Sequence, residues 1–208
     1  MKKAIGIIIL VSVFCVSFKC IHKEEKKIKP SIVTKPINSS KEKLENQIGE
    51  VKKLVKNTSK YNTDIGFFID MKIESGKNRF FIYDLKNNKL LNKGLVAHGS
   101  GSETGIAGQL KFSNTKNSLS TSLGKYAIGY SYKGSFGKAY KLYGLDKTNN
   151  NAFDRNVVLH KYADVPFEEQ DDEICNSYGC PMVNEKFFGE IEKIIDNSKK
   201  KIILTIYY

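Results

Sequence analysis

The feature that most constrains the fold is a change of pattern after Asp64, where short apolar runs alternate with glycine, serine and asparagine. Short runs bounded by turn-forming residues are typical of β-strands. They predict strands at residues 66–72, 79–85, 90–97, 125–130, 155–160 and 201–208. The pair Asn87-Asn88 is a turn signal, so residues 79–97 are predicted to form a hairpin.

One helix is predicted on each side of this β region. A capping-box pattern at residues 39–42 is followed by apolar residues at helical spacing, which predicts an amphipathic helix over residues 40–58 that packs on the domain. Asn184 is placed to cap a second helix with one apolar face. We therefore expect a mainly β (α+β) fold with an N-terminal and a C-terminal helix, forming one domain over residues 39–208.

The first residues have the pattern of an export signal. A lysine-rich start is followed by the apolar run 4–18, which as a helix would extend only roughly 22 Å and is too short to span a bilayer. We expect residues 1–19 to be a signal peptide. Cys20 closes the run in a lipobox-like position, so lipidation at Cys20 and cleavage after Ser17 to a soluble periplasmic form are both open. Residues 20–38 are polar and contain two prolines, which predicts a flexible tether.

The net charge of +12 comes almost wholly from lysine. Such a charge favours an anionic neighbour, either a wall polymer or lipid headgroups. Nucleic acid is the usual alternative, but an export signal removes the chain from nucleic acid. The three histidines have no zinc-site spacing, so we expect no zinc site. We also expect a monomer.

The candidate nucleophile is Cys180. Gly179 permits a tight or positive-φ turn before it and Pro181 fixes the backbone after it, so the turn can present the thiol outward. A free thiol is mostly protonated at neutral pH and needs a base. His160 is the candidate base because it ends a predicted strand. Ser177, or a carbonyl near it, is expected to fix the imidazole tautomer, and the amides around Gly179 and Cys180 are candidates to face an oxyanion.

Each of these two residues has a structural alternative. A single cysteine is more often a small buried hydrophobic residue, and a single histidine at a strand end is more often structural. The arrangement of a histidine followed by Gly-Cys-Pro strengthens the catalytic interpretation of the pair, and the structural alternatives stay open.

Residues 155–160 and 177–181 together resemble the active-site signature of the YkuD-like murein L,D-transpeptidase family. The resemblance extends from residue 66 to residue 208 and includes, in the same order, residues 97–101, 112–114, 120–126 and 151–153. It implies an L,D-transpeptidase-like β-sandwich or barrel acting on peptidoglycan stem peptides, with no metal and no organic cofactor. By resemblance, Cys180 forms a thioester at the L-centre of the third stem residue and transfers it to an amine. Transfer to water, as in an L,D-carboxypeptidase, stays open.

The resemblance also suggests substrate contacts. His98 is expected to line the substrate groove, with a polar strand-end residue as the alternative, and Tyr178 and Asn176 are expected to contact substrate. Asn176 stands where this branch often has arginine, which weakens any inference about a substrate carboxylate there. Cys175 is either an incidental thiol or a disulfide partner for Cys180. Arg155 is expected to make a structural ion pair on the strand face opposite His160.

Three other classes of protein are alternatives to this family. A sortase needs an arginine downstream of its cysteine, and no arginine follows Cys180. Papain-like peptidases place cysteine before histidine, the reverse of the order found here. A non-catalytic wall-binding lipoprotein that keeps the same fold is the remaining alternative.

Overall fold

The computed structural model of the chain describes residues 37–208. The predicted signal peptide, Cys20 and most of the predicted tether lie outside the described residues. Within residues 37–208, the helices lack the combination of length and apolar character that crossing a bilayer requires.

The described part of the chain forms two α-helices and nine strands, besides the short 3-10 helix Ser100–Ser102. In order they are α1 Ile37–Lys56, β1 Tyr61–Asp70, β2 Phe80–Asp84, β3 Lys89–Gly94, β4 Val96–Ala97, β5 Gly124–Gly134, β6 Gly137–Gly144, β7 Val158–Lys161, β8 Met182–Val183, α2 Glu185–Asp196 and β9 Lys201–Tyr207. The predicted α+β class with a leading and a trailing helix is confirmed.

All nine strands belong to one sheet with the order β3-β2-β1-β9-β5-β6-β7-β8-β4. The pairs β1–β9 and β7–β8 are parallel and the other pairs are antiparallel. The end strands β3 and β4 are separated along the chain by Leu95 alone. The two edges of the sheet must therefore approach each other, which curls the sheet.

The second half of strand β1, residues 66–70, is buried on both faces of the curled sheet. Alternation along the strand places Phe67 in the main core, to which α2 contributes Phe187, and places Phe68 in a second core. Helix α1 covers this second core with Ile48 and Val51, as its helical spacing predicts. Burial of each such side chain contributes roughly 1.5–3 kcal/mol relative to leaving it exposed.

The two helix starts differ in how well the sequence predicted them. Helix α1 begins at Ile37 rather than at residue 40, so the predicted capping box lies inside the helix and that prediction is wrong. The Ser40 hydroxyl donates instead to Asp70 Oδ2 (2.7 Å), which ties α1 to the end of β1. The start of α2 is confirmed, because the side chain of Asn184 accepts from the Lys186 amide (2.8 Å).

The strand predictions were correct for the first hairpin and incomplete around the candidate site. Strands β2 and β3 pair across a turn in which Asn88 has φ 53°. The predicted strand at residues 155–160 begins only at Val158, because Asn156 has φ 56° and lies in a turn. Strand β6 was not predicted at all.

Candidate active site

The turn that carries Cys180 is held from both sides. Gly179 has φ 111°, as the sequence predicted, and its amide donates to Ser177 Oγ (3.0 Å). The Ser177 amide in turn donates to the carbonyl of His98 (2.8 Å) at the end of β4. A Cβ atom at position 179 would lie 2.9 Å from the carbonyl oxygen of Ser120. The turn therefore requires glycine at this position.

The thiol of Cys180 lies against the start of β7. It accepts a hydrogen bond from the Val158 amide (N to Sγ 3.4 Å) and is placed to donate to the Asn156 carbonyl (3.7 Å). Burial raises the pKa of Cys180, and the Val158 amide and the charges of Arg155 and Lys141 oppose that rise in part. The resting thiol is therefore protonated at neutral pH and depends on a base for attack.

His160 lies on β7, next to the strand that follows Cys180. The parallel register pairs His160 with Met182, and the His160 amide donates to the Pro181 carbonyl (3.4 Å). Imidazole Nδ1 lies 3.0 Å from the Lys161 carbonyl oxygen, which can only accept, so Nδ1 carries the hydrogen. Nε2 is then the basic nitrogen. Burial lowers the pKa of His160, opposed by the Lys161 carbonyl, so the ring is neutral at neutral pH.

The expected tautomer-fixing role of Ser177 is therefore wrong. Its hydroxyl is engaged with the Gly179 amide, and a local carbonyl on the histidine's own strand takes its place. The Gly179 amide already donates to Ser177, so it is no longer available to an oxyanion, and one of the two candidate amides is excluded.

Cys180 and His160 line two cavities together. One, of about 170 Å³, is lined also by Tyr132 and Val158. The other, of about 350 Å³, is lined also by Tyr162, Asn176, Ser177, Tyr178 and Met182. Tyr178 is almost fully exposed at this second cavity. The structure thus places the predicted thiol and imidazole at shared cavities and places Tyr178 and Asn176 beside them.

Phe136 is a site residue that the sequence analysis missed. It lies between β5 and β6, lines both cavities, and stacks on the His160 ring with centroids 5.2 Å apart and planes at 19°. Although Phe136 is 54% exposed, it shields the imidazole and so contributes to the burial that lowers its pKa. The available signal was a large aromatic residue in an otherwise small turn, Gly134-Ser135-Phe136-Gly137.

His98 does not line either cavity at Cys180. Its ring is buried, with Nδ1 accepting from the Arg79 guanidinium (2.8 Å) and Nε2 bonded to the Glu103 carboxylate. Burial, followed by the charge of Arg79, lowers the pKa of His98. It lines a separate cavity of about 360 Å³ with Arg79 and Glu103. Its ring therefore occupies a polar, structural position at a strand end. This is the alternative to the expected position in the substrate groove.

Arg155 makes no ion pair within residues 37–208, so the predicted ion pair is wrong. Its guanidinium donates to the carbonyl oxygens of Ser113 (2.9 Å) and Ser120 (2.6 Å) and to the hydroxyl of Ser122 (3.0 Å). The residue precedes β7 rather than lying in it, so strand alternation does not apply to it. Arg155 therefore stabilises the loop that contains Ser120, whose carbonyl oxygen packs against Gly179.

Cys175 and Cys180 are both free thiols in the described part of the chain. Burial raises the pKa of Cys175 as well, with a smaller contribution from Asp164.

A curled α+β sheet brings a thiol and a neutral imidazole to shared cavities, and these are the two groups that cysteine-dependent acyl transfer uses. The chain belongs to the L,D-transpeptidase catalytic domain family, whose sequence profile matches residues 36–207. This match confirms the family resemblance found in the sequence.

Several solved structures are similar to the chain. The helical cell shape determining protein Pgp2 from Campylobacter jejuni (K307A mutant) shares 12% identity at a TM-score of 0.44, covering 70% of this chain and 48% of that protein. The L,D-transpeptidase from Xylanimonas cellulosilytica (residues 123–326) shares 14% identity at a TM-score of 0.37, covering 69% of this chain and 60% of that one. The Ldtfm-avibactam carbamoyl enzyme shares 12% at a TM-score of 0.40, covering 70% and 49%.

The chain thus spans between 48% and 60% of the length of these three solved proteins. No curated protein matches the chain.

Proposed function

We propose that the chain is a peptidoglycan L,D-transpeptidase with Cys180 as nucleophile and His160 as general base. The observation that carries the proposal is the shared cavity, in which the Lys161 carbonyl holds the Nδ1 hydrogen and leaves Nε2 of His160 free to accept a proton. The family membership supplies the substrate class, a peptidoglycan stem peptide.

The first half-reaction forms a thioester. Cys180 Sγ attacks the carbonyl carbon of the third stem residue while its proton passes to His160 Nε2. The carbon–nitrogen bond to the terminal D-residue then breaks, and the imidazolium returns the proton to the departing amine. The Lys161 carbonyl stabilises the imidazolium because Nδ1–H donates to it (3.0 Å).

The second half-reaction transfers the acyl group. The amine of a second stem peptide attacks the thioester and loses its proton to His160, and the released Cys180 sulfur takes that proton back. If water attacks instead, the product is a shortened stem and the chain is an L,D-carboxypeptidase.

The oxyanion needs a donor from the turn. The Gly179 amide is bonded to Ser177 Oγ, whereas the Cys180 amide makes no hydrogen bond within residues 37–208. We therefore assign the Cys180 amide as the oxyanion donor of this turn. One such donor lowers the barrier by about 3 kcal/mol.

The remaining predicted residues take supporting roles in this proposal. Tyr178 and Asn176 contact the stem peptide from the larger cavity that they line. His98 acts as a positioning residue, because its backbone carbonyl anchors Ser177 while its ring is buried. Export and a lipid anchor at Cys20 remain part of the proposal, on the sequence pattern alone.

Intact-mass spectrometry of the full chain with a tetrapeptide stem tests the proposal. We expect an adduct with the mass of the tripeptide acyl group, absent in Cys180→Ala and retained in the matched control Cys175→Ala. A carbapenem serves as a second acylating probe. No adduct with either probe, or an adduct that survives Cys180→Ala, supports the non-catalytic wall-binding alternative.

Chromatography of the products then separates the two enzymatic outcomes. A cross-linked dimer that appears when a second stem is added supports transfer, and a tripeptide alone supports hydrolysis.

A further inference from the structure

A row of aromatic side chains leads away from the Cys180 cavity along β5 and β6. Tyr132 lines the smaller cavity, and Lys141 Nζ lies 5.1 Å from the Tyr132 ring centre and 5.5 Å from that of Phe153. Tyr143 stacks on Phe153 with centroids 5.3 Å apart and planes at 13°, and Tyr130 lies 6.5 Å from Tyr143. We call these four aromatic residues, together with Lys141, the aromatic strip.

The strip is available to a ligand. Tyr130 is 57% exposed and Phe153 is 43% exposed, and Lys201 Nζ lies 5.0 Å from the centre of the Tyr143 ring. Contiguous exposed apolar surface marks binding sites rather than ordinary solvent-facing positions. Because the rings already pack on one another and on lysine side chains, little rotamer freedom is left to lose when a ligand binds.

The strip has the chemistry of a sugar-binding surface. A sugar ring presents an apolar C–H face and a polar hydroxyl rim, and a tyrosine ring presents a matching apolar body and polar tip. Lys141 and Lys201 add positive charge beside the rings, which complements the carboxylates that a peptidoglycan strand carries.

The position of the strip agrees with this chemistry. A stem peptide is attached to a glycan strand, and three peptide residues extend on the order of 10 Å. A stem whose third residue reaches Cys180 therefore brings its glycan close to the cavity, and the strip starts inside that cavity at Tyr132.

We propose that the aromatic strip binds the glycan strand that carries the stem peptide. This inference rests on the proposed function, because it assumes that a stem peptide enters the Cys180 cavity. Tyrosine, phenylalanine and lysine also suit a membrane surface. The glycan is favoured because Tyr132 makes the strip continuous with the cavity that the stem peptide would enter.

The test compares two double variants of the full chain. Tyr130→Ser/Phe153→Ser removes the two exposed rings, neither of which lines a cavity at Cys180. The matched control is Leu90→Ser/Leu91→Ser on β3, where the side chains are 42% and 45% exposed. We expect the first variant to bind purified sacculi about tenfold more weakly in co-sedimentation, as the loss of two stacked rings predicts. The control binds as wild type, and acylation by the free tetrapeptide is unchanged in both.

The outcomes separate cleanly. Wild-type binding to sacculi by the strip variant overturns the inference, as does weaker binding to anionic phospholipid vesicles with no change on sacculi. If thermal unfolding shows that the double variant is destabilised, Tyr130→Ser alone decides in the same assay. If wild-type protein binds sacculi through the strip but is not acylated by the tetrapeptide, the proposed function fails while the strip stands.

Discussion

Replacing Gly179 by alanine tests whether the turn geometry controls the site. Gly179 has φ 111°, a region that side chains disfavour at a cost of about 1–3 kcal/mol. The added Cβ would lie 2.9 Å from the Ser120 carbonyl oxygen. That oxygen cannot yield easily, because it already accepts from Arg155 at 2.6 Å.

The expected loss of folding free energy is about 2–3 kcal/mol, combining backbone strain with the displaced contact. In a domain of this size each kcal/mol shifts Tm by roughly 2–4 °C, so Gly179→Ala should melt roughly 4–12 °C below wild type. Calorimetry or circular dichroism measures the shift.

Gly189→Ala is the matched control and should have the opposite sign. Gly189 lies inside α2, and a Cβ there would meet nothing within 4 Å. Alanine in a helix interior is favoured over glycine by about 0.5–1 kcal/mol, so Tm should rise slightly. If Gly179→Ala melts at or above wild type, or if both variants shift alike, the inference that the turn depends on positive φ is refuted.

Three further predictions concern the thiol, the base and a helix cap. In a Cys175→Ala background, the rate of Cys180 alkylation by iodoacetamide should keep rising beyond pH 9, because burial raises the pKa of Cys180; a plateau by pH 8 would contradict this. Phe136→Ala should expose His160 and relieve the burial that lowers its pKa. In the pH profile of the acylation rate, the fall in rate on the acidic side should then occur at a higher pH than in wild type. An unchanged profile would contradict the stacking argument. Asn184→Ala should lower the free energy of unfolding by about 1 kcal/mol in chemical denaturation, because the α2 cap is lost. Asn184→Asp keeps the acceptor for that cap and should lose less. Equal losses in the two variants would instead assign the effect to the hydrogen bond from Asn184 to the Val165 carbonyl (2.7 Å).

The residues that sequence reasoning located are those that a short local motif identifies. Gly179 signalled a special turn by itself, and the signature around it singled out Cys180 and His160. Asn184 and the apolar spacing of α2 likewise needed no tertiary information.

The roles that sequence reasoning missed depend on contacts between distant segments. The pairing of His160 with Met182 is a matter of register between β7 and β8, and no local pattern encodes it. Ser177 was misassigned because its hydroxyl satisfies a nearby amide, and Arg155 because a local turn delays the start of β7.

The place of β9 in the sheet has a consequence for how the chain matures. Strand β9 lies between β1 and β5, so residues 201–207 supply the hydrogen bonds that join the first three strands to the rest. Until those residues leave the ribosome, β1 and β5 each present an open edge, and the strand pairing of greatest sequence separation is missing. Acquisition of the native state must therefore wait for nearly the whole domain to be synthesised, and a nascent chain arrested before residue 201 should remain sensitive to protease.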